Sequence, residues 1–173
     1  MLMSKPKSNF SKDFGRGKVG EKSVIKALEK IGIKCTENKS KGDLSYWDIS
    51  LNMGSFEVLV EIKRDWMESI TGNLAIEYYN PKLNKPSGLM ITDADLWFIV
   101  LNKPDRIYCC PVNKLKKYCK ENKPIRDIVV GGDDNASLWL YNSEIMLKDC
   151  FVDFTDADYN IYNKLVEEAF KDV

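Results

Sequence analysis

Apolar residues recur along this chain at two spacings, and the switch between them outlines the elements. Val24, Ile25, Leu28 and Ile31 share one side of a 3.6-residue repeat, which predicts a helix from about Gly17 to Ile31 with Gly32 as its stop. Strand-like patterns follow. Ile33 to Thr36 reads as a short strand and Asn38 to Asp43 as a polar turn. Tyr46 to Asn52 and Phe56 to Lys63 read as two strands of a hairpin, joined by the turn Asn52-Met53-Gly54-Ser55. Further strands are predicted over Leu74 to Tyr79, Leu96 to Leu101, Arg106 to Cys110 and Ser137 to Tyr141, with loops over Asn80 to Ser87 and Gly131 to Asn135. Pro111 suits the first turn of a helix running through Tyr118. Thr155 is the expected cap of a final helix reaching Phe170. A helix, a group of strands, a short helix and another strand make an α/β domain with a mixed sheet.

Length and composition fit that outline. The chain has 173 residues, 44% hydrophobic and 30% charged, which suits one globular domain over residues 15–173. The polar, lysine-rich residues 1–14 are expected to be a loose basic segment ahead of it. No apolar run approaches the roughly 18 residues of a membrane helix, and the N-terminal lysines precede no apolar signal core. No membrane association is expected. Cys35, Cys109, Cys110, Cys119 and Cys150 form no Cys-x-x-Cys pair and are odd in number. They read as free, mostly buried thiols in a reducing, cytoplasmic compartment. Trp66 and Tyr79 either stack on bases or belong to the core, and the core reading is preferred. The tetrapeptide Thr-Asp-Ala-Asp at 92–95 and again at 155–158 has no matching surroundings and is taken as chance.

Charge adds an asymmetry. The net charge is zero, yet residues 1–41 hold eleven Lys and Arg against four Asp and Glu, and residues 133–173 hold three against ten. A basic front end can face phosphates, or simply be a solubilising tail.

The absence of histidine narrows the chemistry. Ser-His and Cys-His nucleophile pairs and imidazole metal sites are excluded. Carboxylates remain, and they select hard cations such as Mg²⁺ or Mn²⁺. The informative segments are Tyr46-Trp47-Asp48-Ile49 and Val58-Leu59-Val60-Glu61-Ile62-Lys63. Alternation along a strand puts Glu61 and Lys63 on one face, two residues apart, and a hairpin brings Asp48 alongside. Asp48 and Glu61 can hold a divalent cation against a phosphate, with the main-chain carbonyl of Ile62 as a further ligand. Lys63 can orient the attacking water, help deprotonate it, or stabilise the crowded phosphorus. A surface strand with a cross-strand salt bridge gives the same spacing. Glu21 falls on the apolar side of the first helix. There it either serves the site or sits in a first turn, where the helix dipole favours acids. Glu77 is an additional acid that faces either the site or solvent.

Taken together, Gly20-Glu21, Trp47-Asp48 and Glu61-Ile62-Lys63 resemble the pattern of the PD-(D/E)xK nucleases. Gly72 to Tyr78, Lys85-Pro86-Ser87-Gly88 and Thr92 to Asp95 look like small phage-type members. Arg16-Gly17-Lys18 is similar to the opening of archaeal Holliday-junction resolvases. Trp47 stands where the family's proline does. The resemblance spans about residues 15–120. It implies a restriction-endonuclease-like core with a central mixed sheet flanked by helices, and an enzyme that cuts DNA with Mg²⁺ or Mn²⁺. It implies Asp48 and Glu61 as metal ligands, Lys63 as the helper of the water, and Glu21 as an outer or second-metal ligand. Arg16, Lys18, Lys22, Lys41, Arg64 and Lys82 are candidate phosphate contacts. A structure-specific resolvase acting as a homodimer is the alternative, and a catalytically inactive nucleic-acid-binding module is the alternative of another class. No organic cofactor is expected.

Overall fold

The computed structural model describes residues 10–39, 46–102, 106–130 and 135–171, with the backbone alone for 10–16. Helix α1 runs Phe10–Lys30 and buries Val24 and Leu28. It begins earlier than the apolar repeat predicts, so residues 10–14 are helical rather than loose. Extending a formed helix through polar residues is easy, because nucleation is the costly step.

Strands β1 (Cys35–Glu37), β2 (Ile49–Asn52) and β3 (Glu57–Asp65) follow. β2 and β3 form the expected antiparallel hairpin, in register from Ile49↔Val60 to Asn52↔Glu57. The Asn52 side chain accepts the Gly54 N–H at 2.8 Å and closes the turn. A one-turn helix α2 (Glu68–Thr71) then leads to β4 (Asn73–Asn80). Asp65 makes this corner. Its carboxylate accepts the N–H groups of Met67 at 3.1 Å, Glu68 at 3.0 Å and Ala75 at 3.0 Å.

The rest of the chain comprises β5 (Lys85–Pro86), a 3-10 turn (Gly88–Met90), β6 (Leu96–Leu101), β7 (Arg106–Pro111), α3 (Val112–Glu121), β8 (Arg126–Val130), β9 (Ala136–Asn142), α4 (Ser143–Cys150), β10 (Val152–Asp153) and α5 (Tyr159–Ala169). The central sheet has six strands in the order β1-β2-β3-β6-β7-β10. It is mixed, because β3 pairs with β6 in parallel and every other pairing in it is antiparallel. A second, antiparallel sheet runs β5-β4-β9-β8.

β6 explains the layering. All six of its residues are buried, so its sequence Leu-Trp-Phe-Ile-Val-Leu shows no alternation. Leu96, Phe98 and Val100 pack with Val24 and Leu28 of α1 and Leu165 of α5. Trp97, Ile99 and Leu101 pack with Leu74 and Ile76 of β4, Leu115 of α3 and Met146 of α4. Two apolar clusters therefore sit on opposite faces of one sheet.

Several expectations are corrected here. Asp158, not Thr155, caps the last helix, accepting the Ile161 N–H at 2.9 Å. Thr155 instead accepts the Ile107 N–H at 3.1 Å. Trp66 is exposed rather than core, because it lies in the corner before α2. The second sheet gains β8, and α4 and β10 appear where no element was foreseen. α4 starts directly from β9, with Asn142 as both last strand residue and cap, accepting the Ile145 N–H at 3.0 Å. No turn residues separate the two elements, so no punctuation announced the helix. Of the loop expected over Gly131 to Asn135, residues 131–134 lie outside the described residues. The cysteines are free thiols, with Cys109, Cys110 and Cys150 buried. Among the described residues no helix is long and apolar enough to cross a membrane.

The 3-10 turn is pressed onto β4 at a glycine. Gly88 has φ +51°, and a Cβ there would lie 2.4 Å from the Glu77 carbonyl oxygen. Gly88→Ala is therefore expected to cost about 1–3 kcal/mol, read as a lower thermal midpoint. A melting curve that superimposes on the unsubstituted protein would contradict this account of the turn.

Candidate active site

Alternation along β3 divides its side chains. Val58, Val60 and Ile62 face α1 in the first apolar cluster. Glu61 and Lys63 face the other way, towards the second sheet. Glu61 is only 8% exposed, and its Oε1 lies 2.6 Å from the Lys63 ammonium. The parallel register sets Glu61 opposite Trp97 of β6 and places the ammonium 5.6 Å from the centre of the Trp97 ring.

Asp48 precedes β2 and finishes its pairing with β3. Its N–H donates to the Val60 carbonyl at 2.8 Å, and its Oδ2 accepts the Ile62 N–H at 2.7 Å. The strand register itself ends at Ile49↔Val60. A strand residue points its N–H and C=O to the same side, so the Ile62 carbonyl also faces the Asp48 edge. Asp48, Glu61, Lys63 and the Ile62 main chain are thus brought to one end of the hairpin.

A pocket of about 250 Å³ opens beside Glu61 and Lys63, lined by these two and by Tyr46 ahead of β2 and, facing them, by Glu77, Lys85, Ser87 and Thr92. Glu77 therefore faces the site. Glu21 does not line this pocket. It lies on the α1 side, paired with Lys18 at 2.7 Å, close enough for its charge to act on Asp48.

The expected phosphate contacts scatter. Lys18 pairs with Glu21 and Lys22 is exposed on α1. Arg64 turns towards α1, where its Cβ lies 3.2 Å from the position a Cβ on Gly20 would take, and it donates to Asn102 Oδ1 at 3.3 Å. Lys82 is exposed, next in sequence to Leu83 of the pocket lining. The Arg16 side chain and Lys41 lie outside the described residues.

No family profile and no curated protein matches the chain. Solved structures match its fold. The Holliday junction resolvase Hjc of Archaeoglobus fulgidus is 13% identical over 75% of this chain and 98% of its own, with a TM-score of 0.38. Two structures overlap more closely. The bacterial homing endonuclease I-Ssp6803I is 19% identical with a TM-score of 0.50, over 61% of this chain and 72% of its own. D212, a nuclease from a fusselovirus, is 9% identical with a TM-score of 0.50, over 98% of this chain and 99% of its own. The fold of this chain is shared with these two nucleases.

Electrostatics adds chemistry to this fold. Burial, and then the charge of Glu61, push the Asp48 carboxyl up from 3.8 to about 6, against the pull of the Ile62 N–H and Lys63; Glu21 adds to the rise. Burial opposes the charge on Lys63, but Glu61 outweighs it, helped by Asp48 and Glu77, and holds the ammonium above its ordinary value. Lys18 is likewise held up, chiefly by its bond to Glu21.

Among the described residues no three acidic or thiol side chains converge as a ready-made cage for a metal. The donors fit a cation nonetheless. Asp48 and Glu61 each commit one oxygen to a protein partner, Ile62 N–H and Lys63, which leaves Asp48 Oδ1 and Glu61 Oε2 without one among the described residues. The repulsion that lifts Asp48 is what a divalent cation would relieve.

Sequence reasoning missed the opposite wall. Thr92 donates to the Tyr46 carbonyl at 2.9 Å and accepts the Ala94 N–H at 3.1 Å. Asp95 accepts the Leu59 N–H at 2.7 Å. The first Thr-Asp-Ala-Asp thus ties the approach to β6 onto the hairpin. Its second copy has a different place, at the lead into α5, and no local signal separates the two.

A raised carboxyl makes the ionised form a cost to the fold. That cost is fully present above about pH 6 and is lifted as pH falls towards 4, where folded Asp48 is protonated and the unfolded residue is not. Asp48→Asn keeps an acceptor for the Ile62 N–H and removes the charge. It is expected to be more stable than the unsubstituted protein at pH 7.5, by roughly 3 kcal/mol, with the gap closing near pH 4. Thermal melts at the two pH values check this, and a variant no more stable at pH 7.5 contradicts it.

Proposed function

We propose that this protein is an endonuclease that hydrolyses phosphodiester bonds of DNA with a divalent cation, Mg²⁺ or Mn²⁺. The observation that carries the reading is the meeting of Asp48, Glu61 and Lys63 at one end of the β2–β3 hairpin, in a fold shared with nucleases. Asp48 and Glu61 would hold the cation with the Ile62 carbonyl, and Glu21 would support Asp48 from the α1 side. Such a cation lowers the pKa of water and offsets negative charge gathering on phosphorus.

The chain's own groups supply the rest. Lys63 is kept protonated by Glu61, which favours it as a fixed positive charge beside the phosphate over a base that removes a proton. Trp97 supports the ammonium from below. Glu77 contributes a carboxylate across the pocket from Lys63. Lys18, Lys22 and Lys82 are the exposed or partly paired cations from which a phosphate grip would be built, without reading sequence.

The test uses supercoiled, linear, single-stranded and four-way-junction DNA with Mg²⁺, Mn²⁺ or EDTA. Cleavage is expected with either metal and none with EDTA. Lys63→Ala and Asp48→Asn are each expected to slow it by at least about 100-fold while circular dichroism stays unchanged. Full activity in either variant, with clean metal-free controls, removes the assignment. Cleavage confined to the four-way junction by a homodimer makes the protein a resolvase. Tight binding without turnover makes it a binding module.

A further inference from the structure

The pocket wall facing Lys63 carries a hydroxyl with nothing to bond. Ser87 lines the pocket together with Glu61, Lys63 and Glu77, and is only 8% exposed. Its Oγ is covered and has no hydrogen-bond partner among the described residues. A buried hydroxyl left unpaired costs stability, so its presence asks for a reason. The neighbouring hydroxyl in the same wall shows the contrast. Thr92 is satisfied twice, by the Tyr46 carbonyl and the Ala94 N–H.

The backbone holds Ser87 in place from both sides. Its N–H donates to the Tyr78 carbonyl at 3.1 Å. The next residue, Gly88, is pressed so tightly on Glu77 that no Cβ fits. These two contacts hold the backbone at Ser87 against β4. Rotation about χ1 remains, and no hydrogen bond locks it.

We propose that Ser87 is a substrate-contact residue, whose hydroxyl turns about χ1 into the pocket and donates a hydrogen bond to a backbone phosphate oxygen of the bound DNA strand. The proposal rests on the nuclease reading and adds to it a contact on the strand opposite the hairpin. A volume of about 250 Å³ is less than the ~300–1,000 Å³ of pockets that engulf a whole organic ligand. It suits one phosphate with its sugar. The acids Glu61 and Glu77 would repel a phosphate alone; Lys63 and Lys85 in the same lining supply compensating charge, as does the cation proposed above.

The test is Ser87→Ala, read by binding and stability separately from cleavage. Fluorescence anisotropy of short fluorescein-labelled DNA, single-stranded and duplex, is measured with Ca²⁺ in place of Mg²⁺ to suppress turnover. The variant is expected to melt at the same or a higher temperature, because an unpaired hydroxyl has been removed, and to bind about tenfold more weakly, the worth of one hydrogen bond to a charged acceptor. Unchanged affinity overturns the proposal, as does a marked fall in melting temperature, which would show the hydroxyl to be a structural bond. Cleavage of the same DNA in Mg²⁺ judges the nuclease reading on its own. An unsubstituted protein that binds but never cuts removes that reading, while the affinity of Ser87→Ala still decides the contact. A protein that binds neither DNA removes both.

Discussion

The parallel pairing of β3 with β6, from Val60↔Leu96 to Asp65↔Leu101, is the constraint on which the rest of the structure hangs. A parallel pair cannot be closed by a tight turn, so the chain between these strands must travel. It does so through α2, β4, β5 and the 3-10 turn, and that excursion builds most of the second sheet's contact with the site. β6 is covered on both faces as a result, and its six buried residues join the two apolar clusters. The same register slides Trp97 under the Glu61–Lys63 pair. Sheet, core and candidate site are set by one alignment.

The site is where this otherwise consistent fold carries tension. β2 hands its last pairing position to Asp48, whose carboxylate takes the Ile62 N–H in place of a strand neighbour. That bond fixes the side chain but also buries it near Glu61, so its ionised form is disfavoured. Lys63 relieves Glu61 directly and Asp48 only at a distance. Two acids and one ammonium leave a local excess of negative charge, with Glu21 and Glu77 adding to it from the two sides of the sheet. Carboxyls shifted by burial together with a specific charged neighbour cluster at functional sites. A salt bridge along β3 alone explains Glu61 and Lys63 but gives no reason for Asp48 to be buried beside them.

The second sheet supplies what the hairpin lacks. Its strand β4 carries Glu77, and the turn after β5 carries Ser87, whose N–H bonds the Tyr78 carbonyl of β4. The pocket is therefore the space between two sheets rather than a groove in one. Thr92 and Asp95 fasten the two walls by bonding to Tyr46 and Leu59. That fastening holds the wall facing Lys63 in place.

The sequence by itself determined the hairpin, the strand of β6, the first helix and the nearness of Asp48, Glu61 and Lys63 to one another. These depend on local periodicity: alternation fixes which face a strand residue occupies, and a short turn fixes its partner. The lack of histidine limited the chemistry before any coordinate was known. Only the tertiary structure decided the remainder. Glu77 sits half-buried with parity opposite to Leu74 and Ile76, and its direction follows from the register shift of β4 against β9 at that residue and from the 3-10 turn. Arg64 looked like a phosphate contact, but its parity with Ile62 sends it to α1. Ser87 and Thr92 lie in stretches with no periodicity to read, and they share a pocket with Lys63 through pairings far apart in the chain. Local pattern records what each residue prefers among its neighbours in sequence; which distant groups share a pocket is fixed by strand order and by the closing of one sheet over another.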